Sequence, residues 1–321
     1  MPLIIVATGI ALLLTLIVAF RVNAFIAFVV VSIGVGVAGG MPLEEIIGSI
    51  QEGIGSTLGF LVMILGFGAM LGKLVAESGA AQRITTRLVG KFGTKNIQWA
   101  VVLSGFIVGI PMFYSVGFVI LIPLVFTVAA STGLPLLYVG MPMLASLSVT
   151  HGYLPPHPAP TAIADMFNAD IGKTMIYGII IAIPAIVIAG PLFSRRIKNI
   201  EAKPIDEFVN PEILPEEELP GIWTSILTAL SPVVLIGAAT LFNTVLPVDS
   251  WAYTTMNFLG DPVLAMLLSV LIATWSLGLA RGRSMQEVME SLAHSVKSIT
   301  MVLLIIAGAG GLKQILVDSG V

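Results

Sequence analysis

The sequence predicts an all-α, polytopic membrane protein, and three observations carry that prediction. Of its 321 residues, 57% are hydrophobic and only 10% are charged, with a mean hydropathy of +1.03. Apolar runs near the roughly 20 residues that cross about 30 Å of hydrocarbon recur along the chain. They lie at Pro2–Phe20, Ala24–Gly39, Thr57–Leu74, Thr174–Phe193, Ile222–Leu246, Pro262–Leu279 and Ser298–Val317. Between further apolar stretches sits HGYLPPHPAP, His151 to Pro160, with two histidines and four prolines. Irregular backbone at membrane depth is tolerated only where it is buried in protein or lines a polar cavity, because lipid offers no partner for a bare N–H or C=O. The segment therefore reads as a site.

The elements follow from these runs and from where the charges fall. The first run has no basic residue before it and its nearest charge, Arg21, follows it, so it reads as a retained span rather than a cleaved signal. Basic residues gather at Arg21, Lys73 to Lys95, Arg195 to Lys203 and Arg281 to Lys297, which marks those stretches as cytoplasmic. The loop around Met41–Glu52, with Glu44, Glu45 and Glu52, and the loop Pro247–Asp261, with Asp249 and Asp261, face outward. From an outside N-terminus the first three spans run in, out and in, ending at the basic stretch Arg83–Lys95. The glycines of Ser32–Gly40 allow close helix packing, and Lys313 snorkels from the outer end of its span.

The apolar run Val101–Phe126 is interrupted by Gly109-Ile110-Pro111, leaving halves of about 10–15 residues, each too short to cross alone. Two readings compete. A simple crossing places Arg195, Arg196 and Lys198 outside, against the orientation rule. A re-entrant hairpin over 98–130 lets the broken segment Leu134–Asn168 cross outward and Thr174–Phe193 return, so those bases fall inside. The hairpin is preferred, because thirteen of the fifteen Lys and Arg then lie on or near the inner side, with Lys173 and Lys313 the exceptions.

Laying Leu43–Gly79 on Met285–Gly320 at an offset of 242 residues, falling to 241 after one gap, matches Glu45 with Glu287, Ser49 with Ser291, Gly66 with Gly308 and Ser78-Gly79 with Ser319-Gly320. The predicted spans run in opposite directions, so the sequence predicts inverted-topology repeats, a build of secondary transporters that place substrate near the midplane between discontinuous helices. The first repeat occupies 1–197 and the second 222–321. The stretch 198–221, with six Glu, one Asp and four Pro, reads as a flexible linker. The chain stops at Val321, the counterpart of Ala80, so the second repeat is truncated at its C-terminus, and the expectation is a fragment of a protein of about 440 residues.

The stretches HGYLPPHPAPTAIAD, GIPMFYSVGFVILIPLVFTVA and GKTMIYGIIIAIPAIVIAGPLF resemble the gluconate permease family of gluconate:proton symporters, a resemblance that covers essentially the whole chain. It implies a multi-pass importer of gluconate or a related sugar acid in the bacterial inner membrane, driven by the proton gradient, within the wider ion-transporter superfamily. A secondary carrier or antiporter for another small organic anion is the alternative. The implied partners are a gluconate-like carboxylate, protons and the lipid bilayer, with a homodimer left open. One departure is Ser115 in FYSVGF, where the family often carries an acidic side chain; a serine cannot titrate there.

A polyhydroxy carboxylate needs anion-favouring donors and neutral hydrogen-bonding groups. The hairpin tip and the resumption of the broken helix supply free backbone N–H groups and a positive helix end without a buried cation. The candidate binding residues there are Gly109, Pro111, Tyr114, Ser115, Ser148, Thr150, Gly152, Pro155, Pro156, Pro158 and Thr161. Hydroxyls of Tyr114, Ser115, Ser148, Thr150 and Thr161 would meet those of the ligand, and Gly109 and Gly152 would permit close backbone approach. For proton coupling the candidates are His151 and His157, then Asp165, since intramembrane ionisable residues are functional hypotheses by default. Backbone anchoring by the histidines is the competing role. His294, with Glu287 and Glu290, lies on the polar face of an interfacial helix and reads as solvated.

Other function classes lack support. There is no cysteine, which excludes disulfides and thiolate metal sites, and three histidines argue against structural zinc. No Walker sequence or nucleophile elbow occurs, so neither ATP-driven transport nor an enzyme is expected. No cofactor, metal or nucleic acid is implied.

Overall fold

A computed structural model describes residues 2–202 and 214–321, and among them it contains helices and no strand. In chain order these are α1 (Pro2–Leu14, continued by a π turn at Thr15–Ala19), α2 (Ala24–Ala38), α3 (Leu43–Glu77), α4 (Ala80–Phe92), α5 (Ile97–Gly109), α6 (Tyr114–Thr132) and α7 (Leu136–Tyr153). There follow α8 (Pro158–Met166), α9 (Ile171–Val187), α10 (Phe193–Ile197, joined to α9 by the π turn Ile188–Leu192), α11 (Ile222–Phe242), α12 (Trp251–Leu259), α13 (Pro262–Ala273) and α14 (Met285–Asp318). Seven helical stretches are long and apolar enough to cross a membrane: Pro2–Ala19, Leu43–Glu77, Tyr114–Thr132, Ile171–Ile197, Ile222–Phe242, Pro262–Arg281 and Met285–Asp318.

Several boundaries differ from the sequence reading. The loop placed at Met41–Glu52 is only a short turn, because α3 already begins at Leu43 with Glu44 and Glu45 favourably placed in its first turn. At 35 residues α3 is about 52 Å long, and α14, at 34, is nearly the same, so each exceeds the hydrocarbon thickness. The separate interfacial helix expected around His294 is thus the N-terminal part of α14, where His294 is exposed. A capping box starts α14: Ser284 N donates to Glu287 Oε2 at 2.7 Å and Glu287 N to Ser284 Oγ at 3.2 Å. The loop Pro247–Asp261 carries α12, capped by Ser250 Oγ, which accepts from Tyr253 N. The run at Ala24–Gly39 forms a 15-residue helix, shorter than a typical crossing, whereas α6 has 19 residues, more than the half-length expected of a hairpin arm.

The described chain divides into two compact units, Met1–Met63 with Lys297–Val321, and Ile64–Val296. In the first, Val31, Val35, Ile46, Ile50 and Ile315 form the core. Here residues of α3 and α14 meet in antiparallel register. Ser49 Oγ donates to Asp318 Oδ2 at 2.6 Å, and the Cα of Gly53 is so close to Gly310 and Gln314 that no side chain fits.

In the second unit, α5 and α7 form the most intimate pair. A Cβ on Gly105 would stand 2.7 Å from the carbonyl oxygen of Met143, and one on Gly109 would crowd Leu147 and Thr150. This is the close backbone approach that small residues spaced by four allow between helices. Ser146 Oγ donates to Val102 O at 2.8 Å, and Gln98 Nε2 donates to Ser194 Oγ at 2.7 Å, so the buried polar groups between these helices are paired. At the far end of α3, Glu77 accepts from Ser291 Oγ at 2.5 Å and Arg283 at 3.2 Å, and pairs with Lys73.

Of the stretch read as a flexible linker, residues 203–213 lie outside the described residues. Its end is docked rather than loose. Gln82 donates to Leu214 O and accepts from Leu214 N, while Arg83, only 8% exposed, donates to the carbonyls of Pro220 and Glu216 and to the Glu216 carboxylate at 2.7–3.0 Å. A buried guanidinium keeps its place only with such acceptors.

Two outcomes test this packing. Arg83→Ala strands those carbonyls and should cost about 1–3 kcal/mol, read as a lower midpoint in thermal unfolding of the detergent-solubilised protein. Gly105→Leu should cost at least as much by forcing α5 off α7.

Candidate functional site

Two interruptions of helix meet inside the second unit. The first follows Gly109: Pro111 has no N–H to continue α5, residues 110–113 turn, and α6 restarts after Phe113. The second lies between α7 and α8. It occupies residues 154–157, so His151 and Tyr153, read from the sequence as part of the irregular segment, instead belong to the last turn of α7. The Pro155–Pro156 peptide is cis.

His157, 6% exposed, joins the two breaks. Its Nε2 lies 2.9 Å from the carbonyl oxygen of Gly109, and its Nδ1 lies 3.1 Å from Nδ1 of His151. His151 is half-buried and its ring sits 5.8 Å, centroid to centroid, from Phe113, the residue that caps α6. The structure therefore brings together Gly109, Thr150, His151 and His157, with Pro111 alongside against Gly72 of α3, where a Cβ would strike the Pro111 carbonyl.

The two helix starts differ in what they offer. No side chain caps α6, and the amides of Tyr114, Ser115 and Val116 precede the first intrahelical bond, from Gly117 N to Phe113 O at 2.9 Å. These three donors and the positive helix end face outward from the turn. At α8 the expected supply of free N–H groups is not found. Proline at 155, 156, 158 and 160 removes four donors, His157 N bonds to Leu154 O and Thr161 N to His157 O, which leaves only Ala159 N in that stretch.

The remaining candidates sort by exposure and partners. Ser115, Ser148 and Gly152 are exposed, and Tyr114 is half-buried with its ring stacked on Phe118 at 6.2 Å. The Thr150 hydroxyl is buried and donates to Ser146 O at 2.6 Å, so its proton is used within α7. Thr161 Oγ1 is buried with no hydrogen-bond partner, an open donor and acceptor in the first turn of α8. Pro155 and Pro156 are buried and Pro158 half-buried, shaping the break. Asp165 is exposed at the other end of α8, one turn past Thr161. Sequence reasoning missed Gly72, Gly105, Ser146 and Leu147, which hold the breaks together; the Gly105-to-Gly109 spacing was the available signal.

Among the cavities in this unit, one of about 530 Å³ lies between α9, α11 and α12, lined by Asp170, Thr240, Asn243 and Asn257, and two others bear on the site's surroundings. One of about 910 Å³ is lined by α4, α11 and the docked linker end, including Arg87, Lys91 and Trp223, and shares no residue with the breaks. One of about 480 Å³ flanks α8 along Gly152, Pro160, Ile163 and Tyr177 and is predominantly apolar. Among the described residues no cluster of His, Asp and Glu is arranged to hold a metal.

A family model described as GntP family permease matches residues 1–321. The chain is 56% identical to a high-affinity gluconate transporter of Escherichia coli (strain K12), an alignment covering 100% of this chain and 73% of that protein. It is 52% identical to the Gnt-II system L-idonate transporter of the same organism, with the same coverage. Against a gluconate permease of Bacillus subtilis (strain 168) the identity is 45%, over 100% of this chain and 74% of that protein.

The meeting of the breaks is directly testable because the native chain has no cysteine. Phe113→Cys combined with His151→Cys should be bridged by a short bifunctional methanethiosulfonate, seen as one bridging adduct by intact-mass spectrometry; either substitution alone should take up the reagent without a bridge.

Proposed function

Since the chain belongs to the GntP family of permeases, we propose that it imports gluconate or a closely related sugar acid by proton symport. Its relatives are transporters and permeases, so it is a carrier and not an enzyme, and it is a multi-pass protein of the bacterial inner membrane. The observation that carries the proposal is the junction of the two breaks, where an imidazole pair stands beside the uncapped start of α6.

The chemistry suits a sugar acid. A carboxylate needs donors, and the amides of Tyr114, Ser115 and Val116 supply them without a buried cation. Ligand hydroxyls would meet those of Tyr114 and Ser115 on α6, Ser148 on α7 and Thr161 on α8, while Thr150 contributes by packing on Gly109. Gly109, Pro111, Gly152, Pro155, Pro156 and Pro158 shape the backbone of the site. Binding to α8 is through side chains, since its first turn is poor in amides. The His151–His157 pair is the seat of proton coupling in this reading, with Asp165 further along α8 in a lesser role.

Inverted repeats, 1–197 and 222–321 about the stretch 198–221, complete this reading. Ser49 bonds to Asp318 and Ser291 bonds to Glu77. Under the repeat offset Ser49 corresponds to Ser291 and Glu77 to Asp318, so the two bonds are the same contact made reciprocally. Such reciprocity is what a pseudo-two-fold relation produces, and it supports the duplication.

In proteoliposomes holding the full-length protein, an inward proton gradient should drive gluconate accumulation, rising about tenfold per pH unit for one proton per substrate. Collapse of the gradient by a protonophore should return the ratio to one. Uptake driven by sodium but not by protons would reject the symport assignment.

A further inference from the structure

Given the symport reading above, on which this inference rests, we infer that Nε2 of His151 is the atom that takes up the coupled proton, and that His157 is a positioning residue that stays neutral throughout. The argument is one of hydrogen-bond direction. A carbonyl oxygen only accepts, so the 2.9 Å contact between Gly109 O and His157 Nε2 requires a hydrogen on that nitrogen. In a neutral imidazole the other nitrogen is then bare, and His157 Nδ1 is an acceptor. His151 Nδ1, 3.1 Å away, must therefore donate, which leaves Nε2 of His151 as the one ring nitrogen of the pair with a free lone pair.

The two possible proton additions are not equivalent. A proton arriving at His151 Nε2 forms one N–H bond there and leaves the rest of the chain intact, and the bond from His151 Nδ1–H to His157 becomes charge-assisted. A proton arriving at His157 Nδ1 would set N–H against N–H across 3.1 Å, and the contact would survive only with the hydrogen of His151 moved from Nδ1 to Nε2 and the charge placed on the buried ring. Accessibility points the same way: His157 is 6% exposed, whereas His151 is only half-buried. The cycle adds one proton from one side of the membrane and releases the same proton to the other, with no other bond changed.

Titratable side chains on the elements packed against α7 are Tyr114 on α6, Asp165 on α8, Lys173 and Tyr177 on α9, and Arg195 and Arg196 on α10. Among the described residues, the hydrogen-bond partner of the His151 ring is His157. The loaded imidazolium then lies across Phe113 from the start of α6. Carboxylate binding there favours the proton, and by linkage the proton favours the carboxylate to the same degree. Coupling follows from that reciprocity without a fixed Lys or Arg in the site.

The test separates the two histidines in the full-length protein. Counterflow of labelled gluconate reports folding and binding, proton-driven accumulation reports coupling, and the pH dependence of KM from pH 5.5 to 8.5 reports the coupled proton. His151→Gln should reduce the accumulation ratio to one and flatten the KM profile while counterflow falls less than tenfold. His157→Ala should lose tenfold or more of accumulation. His157→Gln, whose amide can donate to Gly109 and accept from His151, should recover it to within about threefold and keep the pH-dependent KM; His157→Asn serves if the Gln variant does not fold. Accumulation by His151→Gln, or a flat KM profile in a folded His157 amide variant, overturns the assignment alone. A wild-type protein unresponsive to the pH gradient overturns the symport reading itself.

Discussion

Every peptide group that leaves a helix inside a bilayer must find its partner in protein, and here two interrupted helices supply one another. The carbonyl freed at Gly109 is taken by the ring of His157, which stands in the opposite break. Five prolines, at 111, 155, 156, 158 and 160, reduce the demand further, because a residue without N–H leaves no donor to satisfy. Approach close enough for this depends on missing side chains: Gly105 lies against Met143, Gly109 against Thr150 and Gly117 against Leu147. The junction holds because irregular backbone, small residues and one imidazole solve the same hydrogen-bonding problem together.

The same economy governs the ends of helices elsewhere. Asn23, Asp170, Ser250, Asp261 and Ser284 each accept an amide at the start of a helix, and Arg83 gathers the carbonyls of the docked linker end. Other starts, those of α5, α6, α7, α8 and α11, have no side-chain cap. At α6 this leaves the amides of Tyr114, Ser115 and Val116 ahead of the first intrahelical bond, across Phe113 from the His151 ring.

The class of fold and the positions of both breaks were legible in the amino-acid sequence, since apolar runs and clustered prolines are local signals. The break at Gly109-Ile110-Pro111 falls within one residue of where those letters put it. Helix lengths were not legible in the same way. Glu44, Glu45, Glu52 and several glycines dilute the hydropathy of the first half of α3, so only 57–74 registered as a span although the helix is continuous from Leu43 to Glu77. α12 is short and mixed in character, and no periodicity announced it. The pairing of His151 with His157 was also hidden. Six residues apart on an intact helix they would point to different faces, and only the non-helical 154–157 turn swings the second ring back onto the first. Arg83 was read as one of many surface bases because its partners lie more than 130 residues away in the chain.

The poverty of amides at the start of α8 has a consequence for what the second break can hold. The single spare amide of Ala159 is outnumbered by bare carbonyl oxygens, since Pro155 and Pro156 cannot donate to the carbonyls one turn before them, so this wall is richer in acceptors than in donors. Such a wall favours groups that donate, a hydroxyl or a protonated nitrogen, over a bare anion.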